Sequence, residues 1–169
     1  MSVKRSFAPV VDQRTRVLVL GSLPGDKSLE RRQYYAHPLN QFWRLMSAVT
    51  GAELVPMPYQ ARLEALLAAR VGLWDVVRSA TRVGSLDTAI RGAQANALPA
   101  LAASLPELRA IAFNGGTAAR LGTRTLGAGA PFALLPLPSS SSARAIPFAA
   151  KLEAWLQLRA FLDSAPASA

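Results

Sequence analysis

Short apolar runs alternate along the chain with stretches in which apolar residues recur every three or four positions. Four runs read as buried strands: Val17 to Leu20 in "RVLVLG", "VGLWDVV" from Val71, "AIAFN" ending at Asn114, and "FALLPLP". The intervening stretches read as helices. "NQFWRLMSAVTG" places Phe42, Leu45, Met46 and Val49 on one face, with Gly51 as a stop and a start near Pro38 or Asn40, where Asn40 is the expected N-cap. "PYQARLEALLAAR" reads as a second amphipathic helix, "ANALPALAASLPELR" as one stopping near Pro106, and "GGTAARLG" as a short one after a glycine turn. "IPFAAKLEAWLQLRAFL" closes the chain, with Leu152, Trp155, Leu156, Arg159 and Leu162 near helical spacing.

Apolar strands alternating with helices predict a three-layer α/β/α sandwich around a central four-stranded, mostly parallel sheet. The expectation is a single domain over residues 1–169, with 1–12 and 164–169 flexible. Function then belongs at the carboxyl ends of the strands. Four loops are expected to share that rim: Gly21 to Asn40, Asp75 to Asp87, Asn114 to Thr117, and Pro136 to Ala143.

Charge narrows the partner. Nineteen Lys and Arg against ten Asp and Glu give a net charge of +9, which favours a polyanion through counterion release, nucleic acid first. The chain has no Cys and one His, so a disulfide frame, a thiolate metal site and a multi-His site are excluded, and neither metal nor cofactor is expected. There is no run of 18 apolar residues and no apolar signal-peptide core near the start. A soluble, cytoplasmic monomer without membrane contact is expected.

Two familiar chemistries fit poorly. "GSLPGDKS" resembles the end of a Walker loop, but three residues separate Gly21 from Gly25 where that loop has four, and Asp26 precedes Lys27. Pro24 also removes a backbone donor. A Ser-His-Asp triad from the run Ser139 to Ser142 with His37 and Asp75 lacks a G-x-S-x-G turn.

Three segments taken together point elsewhere. "GSLPG" after the first strand, "YYAHPLNQFW" leading into a helix, and "LPSSSSARA" after the last strand resemble, in order and placement, the uracil-DNA glycosylase superfamily. Its mismatch-specific branch carries a Gly-x-Asn-Pro-Gly loop, an aromatic-Ala-His-Pro-x-Asn-x-Phe-Trp segment and a later Pro-Ser loop. Leu23 departs from this pattern. In several branches that place holds the catalytic polar residue, and Leu can neither orient nor deprotonate water, which argues against ordinary uracil removal. Leu23 before Pro24, the full "QYYAHPLNQFW", "LWDV" and "LPSSSSARA" look most like the hypoxanthine-DNA (deoxyinosine) glycosylase branch.

The resemblance implies a monofunctional glycosylase acting on double-stranded DNA that contains a deaminated base, chiefly hypoxanthine, flipped into a pocket. Asn40 then corresponds to the key catalytic residue, orienting water through its amide oxygen, and His37 either is structural, the favoured reading for a lone His before Pro, or donates to a phosphate or sugar oxygen. Tyr35 is the stacking platform. Asp75 stands where uracil enzymes have a base-reading Asn; as an ionised carboxylate it would accept the N1–H of hypoxanthine, while backbone N–H groups of Gly21, Ser22 and Leu23 take O6. The other reading of Asp75 is an ion pair with Arg78 or Arg82. Asn114 is either a helix cap, the favoured reading, or a base contact. Ser139, Ser140, Ser141 and Arg144 are expected on the DNA backbone, Arg82 less so. Three alternatives remain: preference for uracil or mismatched thymine, a catalytically silent DNA-binding module, and a small-molecule hydrolase.

Overall fold

A computed structural model describes residues 2–163. Its centre is a four-stranded parallel sheet. In chain order its strands are β2 (Val17–Gly21), β3 (Val71–Asp75), β6 (Ala110–Asn114) and β7 (Ala133–Leu137), arranged β3-β2-β6-β7. The central pair β2 and β6 is buried along its whole length, as near-continuous apolar strands in a covered parallel sheet should be. Register aligns the last residues of neighbouring strands, Gly21 opposite Asp75 and Asn114 opposite Leu137. The sequence thereby delivers Asp75, Gly21 and Asn114 to one edge of the sheet.

Helices cover both faces. On one side α2 (Phe42–Thr50), α3 (Tyr59–Ala68) and α6 (Phe148–Trp155) bury Phe42, Leu45, Met46, Leu66 and Trp155 against Val17, Val19 and Leu73. On the other, α4 (Leu98–Ala103) and α5 (Gly116–Leu126) pack Leu98 and Ala118 against Leu18, Leu20, Ile111 and Phe113. This is the expected three-layer sandwich. Gly122 lets α5 lie close against the sheet, because a Cβ there would collide with the Phe113 ring. The closing segment bends through a 3-10 turn, Leu156–Leu158, into α7 (Arg159–Leu162).

Three elements differ from the expectation. The N-terminal residues run as paired backbone: β1 (Val3–Arg5) joins β4 (Val77–Thr81) antiparallel, and Val10 bridges to Leu73. These residues fall in the stretch 1–12 expected to be flexible, of which residue 1, like the tail from 164, lies outside the described residues. The supposed loop from Asp75 to Asp87 instead contains β4, which pairs with β5 (Arg91–Ala95) to complete a three-stranded antiparallel ribbon. A short helix, α1 (Asp26–Arg31), interrupts the first long loop. Among the described residues no helix is long and apolar enough to cross a membrane.

Candidate base-binding pocket

Above the carboxyl ends of β2, β3 and β6 opens a pocket of about 890 Å³. It gathers the candidate site residues Gly21, Ser22, Leu23, Tyr35, His37, Asn40, Asp75, Asn114, Ser139, Ser140, Ser141 and Arg144, but not Arg82. Its lining also holds Asp87, Ser28 and Arg120, which sequence reasoning passed over.

The floor is built around Gly21. A Cβ there would lie 2.7 Å from Asp75 Oδ1 and 3.0 Å from the Tyr35 hydroxyl, so only glycine lets a carboxyl and a phenol converge over the strand end. Tyr35 is held with φ at 54°, in the left-handed region, which for a bulky residue is strain that its surroundings must enforce. Several contacts do so. Trp43 Nε1 donates to its carbonyl at 3.2 Å, the Ser28 hydroxyl takes the Ala36 N–H at 3.0 Å, and Phe42 stacks on the Tyr35 ring with centroids 3.9 Å apart. The Tyr35 hydroxyl is buried without a hydrogen-bond partner, and burial, followed by the nearby Asp75, pushes its pKa up.

Asp75 is 3% exposed, and its Oδ2 has no partner. The ion pair with Arg78 or Arg82 does not form. Arg78 is exposed, whereas the Arg82 guanidinium donates to the carbonyls of Leu23, Pro24 and Gly84. Arg82 therefore pins the first loop to the turn after β4; buried at 4% exposure, it is no phosphate contact. Burial, reinforced by Asp87 and offset by Arg82, pushes the Asp75 carboxyl up to about 7.

Asp87, on a 3-10 turn (Asp87–Ala89), accepts the Ser22 hydroxyl at 2.5 Å. Burial pushes its carboxyl up, while the Ser22 hydrogen bond and Arg82 act in the opposite direction. The Leu23 side chain turns into a small apolar cluster with Val77 and Ala80. The N–H groups of Ser22 and Leu23 find no acceptor among the described residues, which leaves two backbone donors beside the pocket.

The opposite wall is a relay of amides and hydroxyls. Asn114 Nδ2 donates to Ser140 Oγ at 2.8 Å, its Oδ1 accepts the Ser140 N–H at 2.8 Å, and Ser140 Oγ donates to Asn40 Oδ1 at 2.8 Å. Asn114 therefore does not cap α5, whose N-cap is Gly115 with no side-chain bond. Asn40 Oδ1 also accepts the Phe42 N–H at 2.9 Å, so Asn40 does serve the helix start, although α2 begins two residues later. With both oxygen lone pairs engaged, the expected hold on water through Oδ1 is not available, and the Nδ2 amide is the group left for the pocket.

His37 is exposed, its Nδ1 taking the Leu39 N–H at 3.1 Å, and it meets neither Asp75 nor a serine as a triad would require. In the last loop Ser139 Oγ accepts the Ser141 N–H and Ser141 Oγ accepts the Ala143 N–H. Both hydroxyl protons stay available. Lys151, buried, joins this loop to the start of α2 by donating to Ser141 O at 3.0 Å and Gln41 Oε1 at 2.9 Å. Burial, followed by Arg144, pulls its pKa down.

An open rim of serines with Arg120 and Arg144 stands above a floor that holds Tyr35, Asp75 and Asp87, a concave site of small-ligand size at the strand ends. Residues 8–159 match the family model of the uracil DNA glycosylase superfamily, and the chain belongs to that superfamily. It is 39% identical over 142 residues to a hypoxanthine DNA glycosylase of Methanosarcina acetivorans, covering 84% of this chain and 90% of that protein. To a hypoxanthine DNA glycosylase of Methanosarcina barkeri it is 46% identical over 112 residues, 66% of this chain and 71% of that one. The solution NMR structure of a candidate uracil DNA glycosylase from Methanosarcina acetivorans superposes with a TM-score of 0.83 at 37% identity, over 95% of this chain and 99% of that one.

Proposed function

We propose that the protein is a monofunctional DNA glycosylase that releases hypoxanthine from duplex DNA. The observation that carries this reading is the buried, cation-free Asp75 carboxyl facing the same pocket as the free N–H groups of Ser22 and Leu23. Such a floor suits a base edge with a carbonyl beside a ring N–H. Adenine would place an amino group against the two N–H donors and lose their hydrogen bonds.

In the reaction the C1′–N9 bond breaks and its electron pair stays on the base, while water adds to C1′ and gives up a proton that, by way of solvent, neutralises the departing base, leaving free base and a C1′ hydroxyl. The Ser22 and Leu23 N–H groups meet the charge that reaches O6 of the departing base. Asn40, fixed by Ser140 and Phe42, offers Nδ2 to the water or sugar; an amide orients but does not deprotonate. His37, Ser139, Ser141 and Arg144 stand at the rim for phosphates. No Lys besides Lys27 stands in the pocket lining, and Lys27 pairs at 3.5 Å with Glu30 on the exposed side of α1, which favours hydrolysis over a Schiff-base lyase step.

Duplexes carrying hypoxanthine, uracil, a G:T mismatch or no lesion test the reading when free base and abasic sites are quantified. Hypoxanthine release in excess of uracil release is expected. Release of uracil or thymine alone would overturn the assignment, and salt-sensitive binding without release would make the chain a DNA-binding module.

A further inference from the structure

A second carboxyl in the pocket takes no part in that scheme. Asp87 reaches the lining from the antiparallel ribbon's turn and is fastened to Ser22, next to the two free N–H groups of the first loop. It shares the pocket with Asp75, whose Oδ2 is buried and unpartnered and which no cation contacts. Two largely buried carboxyls in one pocket raise the cost of ionising both. The hydrogen bonding distinguishes them. Asp87 accepts the Ser22 hydroxyl at 2.5 Å, a bond that favours its ionised form, whereas Asp75 has no donor on Oδ2.

Resting on the glycosylase reading, we propose that Asp75 meets the base as a neutral acid, its C=O accepting the ring N–H and its O–H donating to the adjacent carbonyl oxygen, and that Asp87 is the positioning residue that keeps it neutral. Chemistry favours this over a carboxylate contact. The departing base carries negative charge, which a carboxylate at its edge would oppose and an O–H donor stabilises. A neutral carboxylic acid also offers one donor and one acceptor, the same pair as an Asn amide. The burial of Asp75 and the field of Asp87 both raise its pKa, to about 7, with Arg82 opposing them. The remaining groups facing Asp75 are the phenols of Tyr34 and Tyr35, themselves pushed up by burial and by Asp75 and so neutral.

The test is single-turnover hypoxanthine release by the full chain between pH 5.5 and 9. Wild type should slow as pH rises through the Asp75 titration. Asp87→Asn, which still offers Ser22 an acceptor, should bring that decline to lower pH and release base about tenfold more slowly on the falling limb. Asp75→Asn should give a flat profile and exceed Asp75→Ala by about tenfold or more, since its amide keeps a donor and an acceptor. An unmoved limb in Asp87→Asn, or Asp75→Asn no faster than Asp75→Ala, overturns the proposal. Carbon-13 NMR titration of the Asp75 carboxyl provides a readout without catalysis. A midpoint near neutrality that falls in Asp87→Asn supports the assignment even if hypoxanthine is not the substrate, and a midpoint in the ordinary carboxylate range refutes it.

Discussion

Gly21 and Asp75 face each other across the β2–β3 ladder, and each constrains what the other can be. Gly21→Ala would force a methyl group to within 2.7 Å of Asp75 Oδ1 and 3.0 Å of the Tyr35 hydroxyl. The variant should fold at a cost of about 1–3 kcal/mol and lose base release about a hundredfold or more, as measured by denaturant melts and single-turnover assays. Asp75 itself weakens the fold. Its folded pKa, about 7, lies above the ordinary carboxyl value of 3.8, so the native state binds more protons across that range, and stability falls as pH rises from 4 to 7. The full effect, reached above pH 7, is on the order of 4 kcal/mol. Asp75→Asn should therefore melt higher than wild type at pH 8, with the gap closing near pH 4; equal melting temperatures at both values would contradict it. Asp75 at the end of β3 and Asn40 just before α2 stand where local pattern places them, whereas Tyr35 lies in the loop between α1 and α2, and the parts expected of all three came only from the resemblance. Asp87 was not legible in the sequence, since its partner Ser22 is 65 residues away and nothing in "GSLDTA" announces that pairing.

The elements divide by how much of their reason for existing is local. The four parallel strands are apolar runs, and α2 carries a clear apolar stripe, so their sequence pattern suffices. By contrast, β5 is exposed at every position and β1 nearly so. Neither alternates, and each forms only because β4 offers it an edge. The loop-to-element ties are also long-range. Lys151 on α6 holds the serine loop to the start of α2, the same region in which Ser140 bonds both Asn40 and Asn114. Lys151→Met should leave the core packed yet loosen this loop, so that kcat for base release falls more than tenfold while the melting temperature changes little; an unchanged kcat would show the tie to be dispensable. At the α5–β6 contact Gly122→Ala should act in the opposite way, costing about 1–3 kcal/mol of stability through the clash with Phe113.

Over the whole molecule, a net charge of +9 surrounds a pocket whose own floor is acidic. In the proposed function the two features serve different steps: the surface draws in the phosphate backbone, and the floor reads the base turned out of it. Binding to undamaged duplex should thus weaken steeply with salt, each phosphate contact contributing about −0.9 to the log–log slope, and Arg144→Ala should reduce that slope by about one without altering base preference. Fluorescence anisotropy across a salt series measures this. The central claim is that hydrolysis takes place in this pocket with Asn40 at its catalytic wall. The most direct measurement compares wild type with Asn40→Ala on one hypoxanthine-containing duplex, recording base release and binding in parallel. Release reduced about a hundredfold or more with binding within a few-fold of wild type is the predicted result; release unchanged by the substitution, or absent from the wild type, would contradict it.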